Sequence, residues 1–77
     1  MRQSIHISEA RRILDRGERL SLLIVKKNGQ LLRADDVVSL SYDIYAGTRT
    51  IKSMRSGEKR TIHDVQIIAL NDFDVFI

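Results

Sequence analysis

The 77-residue chain contains no cysteine, no proline and no tryptophan, and only four glycines, two tyrosines and two phenylalanines. Without cysteine there is no disulfide, no thiolate zinc site and no thiol nucleophile. Without proline, and with so little glycine, there is no linker composition that would split the chain into parts. No apolar run exceeds four residues, as at Leu22-Leu23-Ile24-Val25, far short of the ~18 that a membrane-spanning helix needs. The opening Met1-Arg2-Gln3-Ser4-Ile5-His6 has neither the apolar core nor the small-residue cleavage site of a secretory signal. These absences lead to the expectation of a cytoplasmic protein with no membrane partner and no cofactor.

What is present reads as one small globular domain over 1–77. Hydrophobic residues make up 43% and charged residues 30%, a balance that supports a core rather than disorder. A chain of this size buries only about 60–65% of its unfolded surface, so its core is thin. Thirteen basic residues face ten acidic ones, for a formal charge of +3. The sign is unevenly spread. Residues 1–34 carry eight positive and three negative charges, residues 35–62 five and four, and residues 63–77 none and three. Such polarity suits self-association or contact with phosphates.

The spacing predicts a helix over 8–16. Ser8 is placed to cap it, and Glu9 sits where the helix dipole favours negative charge. Ala10, Ile13 and Leu14 form one apolar stripe, and Gly17 stands at the C′ position. From residue 19 onward the pattern changes to strands. A run over 19–27 ends in Asn28-Gly29, which predicts a hairpin with a two-residue type I′ turn. The next strand starts at residue 30, is interrupted by Asp35-Asp36 as at a bulge, and resumes over 37–45, where Val38, Leu40 and Tyr42 alternate with polar residues. Turns at Ala46-Gly47 and Ser56-Gly57 bound a third strand over 48–54. A fourth, bent near His63-Asp64, covers 59–70, and a fifth covers 73–77 after Asn71-Asp72. The expected fold is mainly β: one short N-terminal helix and a five-stranded antiparallel meander over 19–77, curled into a small SH3-like or Sm-like half-open barrel.

No catalytic set emerges. His6 and His63 lack further ligands at metal-binding spacing. The pair Asp35-Asp36 fits a solvated strand break better than acid–base chemistry. Nucleophile-elbow and phosphate-loop motifs are missing. The protein is therefore expected not to be an enzyme. Two binding surfaces stand out instead. Arg49, Lys52, Arg55, Lys59 and Arg60 flank the Ser56-Gly57 turn, with Tyr45 as a base-stacking candidate, the residue types with which small barrels hold nucleic acid. The plainer reading of the same residues is a solvated hairpin face. Phe73, Val75, Phe76 and Ile77 form an apolar last strand with no lysine or proline to guard its edge. Barrel closure would cover that strand, and so would pairing with a second copy.

The segments Ile7-Ser8-Glu9-Ala10-Arg11-Arg12-Ile13-Leu14, Val25-Lys26-Lys27-Asn28-Gly29, Tyr45-Ala46-Gly47-Thr48-Arg49 and Phe73-Asp74-Val75-Phe76 together resemble small uncharacterised proteins of gut-bacterial genomes and phage-like elements. The pattern around Gly57, Arg60 and Ile62 is similar, at the level of fold, to WYL-type and Sm-like barrels. That likeness implies a regulatory module that binds a ligand or nucleic acid, although the Trp-Tyr-Leu signature itself is absent. The expected function is a non-enzymatic interaction module, homodimeric, that binds another protein or assembles within a phage or mobile-element system. The alternative is a small nucleic-acid-binding barrel using the basic hairpin.

Overall fold

The computed structural model describes residues 3–77. Strand β1 (Gln3–His6) leads into helix α1 (Ile7–Asp15), followed by β2 (Leu20–Val25), β3 (Leu31–Asp43), β4 (Thr48–Ser53) and β5 (Lys59–His63). A 3-10 turn at Asp64–Gln66 then precedes β6 (Ile67–Leu70) and β7 (Phe73–Phe76). The protein is mainly β with one helix, as the patterning predicts. Among the described residues its sheet has seven strands rather than five, in the order β1-β7-β6-β2-β3-β4-β5.

The helix begins one residue before the predicted range, and its cap lies two residues before Ser8. His6 is the N-cap: its Nδ1 accepts from the Ser8 backbone N–H at 3.1 Å and lies 2.8 Å from Ser8 Oγ. Ile7, Ala10 and Leu14 are buried and Ile13 is half-buried, which is the predicted stripe extended by one turn. Gly17, at φ 72°, donates its N–H to Leu14 O at 3.1 Å and closes the helix as expected. A helix this short holds its shape by docking. It packs against β1, β3, β7 and the 3-10 turn.

The β2–β3 hairpin forms where Asn28-Gly29 places it, but not through a type I′ turn. Only Gly29 has positive φ, at 86°. Its N–H donates to Lys26 O at 2.9 Å, while Lys26 N–H donates to Gln30 O at 2.8 Å. This is the three-residue loop with glycine in the left-handed position, the next commonest hairpin solution. The bulge in β3 is present. Leu20 pairs with Val37 and Leu22 with Ala34, so β3 carries one extra residue there, and Asp36 takes φ 55°. The bend lets one 13-residue strand pair first with β2 and then with β4.

The predicted fourth strand over 59–70 is two strands on opposite sides of the sheet. β5 pairs with β4, whereas β6 pairs with β2. In a flat sheet β5 and β6 would lie four strand spacings apart, about 19 Å. The chain from His63 to Ile67 spans at most about 14 Å. The run β6-β2-β3-β4-β5 must therefore coil until its ends approach. Leu20, Leu22 and Ile24 of β2, Val37, Ile51, Ile62, Ile67 and Leu70 fill the inside of the coil beneath α1.

The meander also acquires a strand that patterning did not show. β1 pairs in parallel with β7, from Gln3 opposite Phe73 to His6 opposite Phe76. The C-terminal strand thus lies between β6 and β1, with both edges occupied. Phe73 and Val75 are half-buried, with Val75 against the core, and Phe76 and Ile77 are exposed. The sheet is consequently not purely antiparallel, and its outer strands are β1 and β5.

Candidate functional site

Arg49, a predicted nucleic-acid contact, is a core residue. It lies on β4 in phase with Ile51 and opposite Ile62 of β5, both buried, and is itself only 2% exposed. Its Nε donates to Asp64 Oδ1 at 2.7 Å and its Nη2 to Asp64 Oδ2 at 3.1 Å. Its Nη1 donates to Asp15 Oδ1 at 2.9 Å and to Ser39 Oγ at 2.8 Å. The Tyr42 ring covers the guanidinium at 5.0 Å, a cation–π contact. Burial alone would lower the Arg49 pKa, but hydrogen bonds and charge from Asp64 and Asp15 outweigh it and raise the pKa. With its hydrogen bonds made internally, Arg49 cannot reach a phosphate.

This cluster fixes a wall of the surface that remains. Asp64, also 2% exposed, opens the 3-10 turn and takes a further hydrogen bond from Arg11 Nε at 3.2 Å. One residue further along, Val65 faces solvent, while Gln66 reaches back. Its Oε1 accepts from His63 N–H at 2.9 Å and its Nε2 donates to Val25 O at 3.2 Å. The His63 ring is held as well, with Nδ1 3.1 Å from Gly47 O. A carbonyl oxygen can only accept, so Nδ1 carries the proton and Nε2 keeps the free lone pair in the neutral ring.

Between the outer edge of β5 and the β2–β3 hairpin lies a groove of about 460 Å³. Ile24, Leu32 and Ile62 supply its apolar lining, Thr61, His63 and Gln66 its neutral polar lining, and Lys26, Lys27 and Arg60 its charge. Ile24 and Ile62 are buried and the three cations exposed, so the apolar groups lie deep and the charge at the rim. β5 pairs with β4 alone, so the backbone along its other edge is not taken up by a strand.

The remaining predicted cations stand on the β4–β5 hairpin outside the groove lining. Lys52 and Lys59 are directly opposite each other on the outer face of the β4–β5 pair, a like-charge pairing that costs stability. Arg60 is opposite Ile51, and Arg55 is exposed in the connecting turn. Tyr45 is 98% exposed but sits in the β3–β4 turn, beyond the Thr48–His63 end of the ladder. The Lys52–Lys59 end is four residues away, about 13 Å along the strand. The structure therefore keeps Lys52, Arg55, Lys59 and Arg60 on one hairpin, with Lys52 and Lys59 on the face opposite Arg60, withdraws Arg49 into the core and leaves Tyr45 apart. It adds Lys26 and Lys27, whose sequence distance from the hairpin concealed them.

Charge pairing separates this region from the rest of the molecule. Arg11, Arg12, Arg19, Arg33 and Arg49 each have a carboxylate partner. Among the described residues, Lys26, Lys27, Lys52, Arg55, Lys59 and Arg60 have none, and outside this region only Arg16 shares that state. Glu58 stands in the same hairpin, with its backbone oxygen accepting from Ser53 N–H at 2.9 Å. Among the described residues no cluster of three or more His, Cys, Asp or Glu could hold a metal ion, and no helix is long and apolar enough to cross a membrane. No family model, curated protein or solved structure matches the chain.

Proposed function

We infer that the protein is a non-enzymatic binding module that holds a nucleic-acid strand along the basic groove beside β5. The observation that carries this reading is the segregation of charge: three cations without carboxylate partners line the groove and three more stand on the β4–β5 hairpin, while Arg11, Arg12, Arg19 and Arg33 are paired internally. Cations left free of internal partners are available to displace counterions from a phosphate backbone. The coiled five-strand run with a 3-10 turn joining its ends supports an SH3-like, half-open barrel, an architecture whose function is carried by surface sites rather than by the fold itself. The non-enzymatic part of the reading rests on the sequence, which offers no nucleophile motif or acid–base constellation.

The test is fluorescence anisotropy of a labelled single-stranded oligonucleotide at ~50 mM salt, where electrostatic binding is strongest. The expected result is saturable binding that weakens steeply as salt is added. No anisotropy change at that salt would remove the reading.

Self-association is a second reading, favoured by Phe76 and Ile77, which are 51% and 80% exposed at the end of β7. Phe76 meets the His6 ring edge-on at 5.4 Å between centroids. A second copy would have to cover this apolar face, because the edges of β7 are already paired.

A further inference from the structure

The lining of the groove contains more than a phosphate backbone requires. A purely electrostatic contact needs only exposed cations, and Arg55 and Lys59 already provide them on the hairpin. The groove instead places apolar side chains, Ile24, Leu32 and Ile62, below Lys26, Lys27 and Arg60. Its volume of about 460 Å³ falls within the ~300–1,000 Å³ of small-molecule sites. Groups able to read a polar edge are also in place: Thr61, the His63 ring with its Nε2 free, and the open backbone edge of β5.

Resting on the nucleic-acid reading above, we propose that the groove is a seat for one unstacked nucleotide, with the base on the apolar lining and its phosphate held by Lys26, Lys27 and Arg60. The charge arrangement commits the seat to an anionic occupant, since no carboxylate lines it. The apolar depth commits it to a nucleotide with an exposed base face. A duplex keeps those faces inside its stack, so the substrate class is single-stranded DNA or RNA. The seat differs from the stacking mode expected of Tyr45, because no aromatic side chain lines the groove other than the His63 imidazole.

The deciding comparison uses the full chain and two labelled 12-mers of equal phosphate number, oligothymidylate and an abasic strand, by anisotropy at ~50 mM salt. Oligothymidylate should bind about tenfold more tightly than the abasic strand, the scale of burying one base. Leu32→Thr should remove most of that ratio. Equal affinity of the two strands for the unsubstituted protein would overturn the seat and leave the phosphate reading standing. Binding of neither strand would overturn both. Because the strand comparison needs no substitution, a misfolded Leu32→Thr variant would leave the test intact.

Discussion

Arg49 of β4 and Asp64 of the 3-10 turn form a bidentate ion pair, Nε to Oδ1 at 2.7 Å and Nη2 to Oδ2 at 3.1 Å, with both residues 2% exposed. The pair ties β4 to the turn where the chain crosses to the other side of the sheet, and Asp15 of the helix shares the guanidinium. A buried pair of this kind does not have to exceed a well-packed apolar substitute in stability. Once it exists, however, neither partner can be removed alone without leaving a charge in the core.

Arg49→Ala or Asp64→Ala should therefore destabilise the protein by about 3–5 kcal/mol. The double change Arg49→Met with Asp64→Leu should cost markedly less than the two single changes added together. Urea denaturation followed by circular dichroism measures all of these. Single variants within about 0.5 kcal/mol of the parent would contradict the burial of this pair.

The raised Arg49 pKa sets a pH expectation. A cation whose folded pKa lies above its unfolded value contributes stability at all pH values below the unfolded one. That contribution fades only as pH climbs through the folded value. For arginine that loss lies at alkalinities outside ordinary buffers. Lysine, with an unfolded value near 10.4, would bring the loss into range. The stability gap between the parent and Arg49→Lys should accordingly be constant from pH 6 to about 9 and widen toward pH 11. A constant gap throughout would show that charge at this position does not matter to the fold.

If the basic groove holds phosphate, Lys26→Glu with Lys27→Glu should weaken oligonucleotide binding. The log–log salt slope should fall by roughly one for each phosphate no longer neutralised. Arg16→Glu is the control. Arg16 is exposed and lies outside the groove, so its slope should match the parent. An equal effect at Arg16 and at the two lysines would mean that net charge, rather than the groove, drives the binding.

Light scattering on a size-exclusion column tests the exposed end of β7. At ~100 µM the self-association reading expects a dimer mass for the full chain and a monomer for Phe76→Glu, since association too weak to populate at that concentration is of little consequence. A monomer in both cases discards it.

Much of the fold was legible in the chain, because periodicity and turn chemistry are local. The β-rich run over 19–27, the left-handed Gly17 and Gly29, and the bulge at Asp36 all act within a few residues of themselves. Two failures share one cause. The residues 59–70 read as one bent strand because both halves are β-rich, and only pairing partners at distant positions reveal that three residues turn the chain to the far side of the sheet. β1 is four residues long and pairs with a strand about 70 positions away, so no local pattern could mark it.

The candidate site shows the same division. From composition and order alone came a mainly β domain with one helix, no thiol chemistry, and a basic hairpin around Ser56-Gly57. Which of its cations stay outside the core depended on the phase of β4, which turns Arg49 toward Asp64 and Lys52 to the opposite face. That Lys26 and Lys27 belong with Arg60 depended on the coiling of the sheet, which brings residues more than thirty positions apart to one groove. Charge is a property of the residue, but whether it is taken up by an internal partner or offered to an external one is decided by the neighbours that folding supplies.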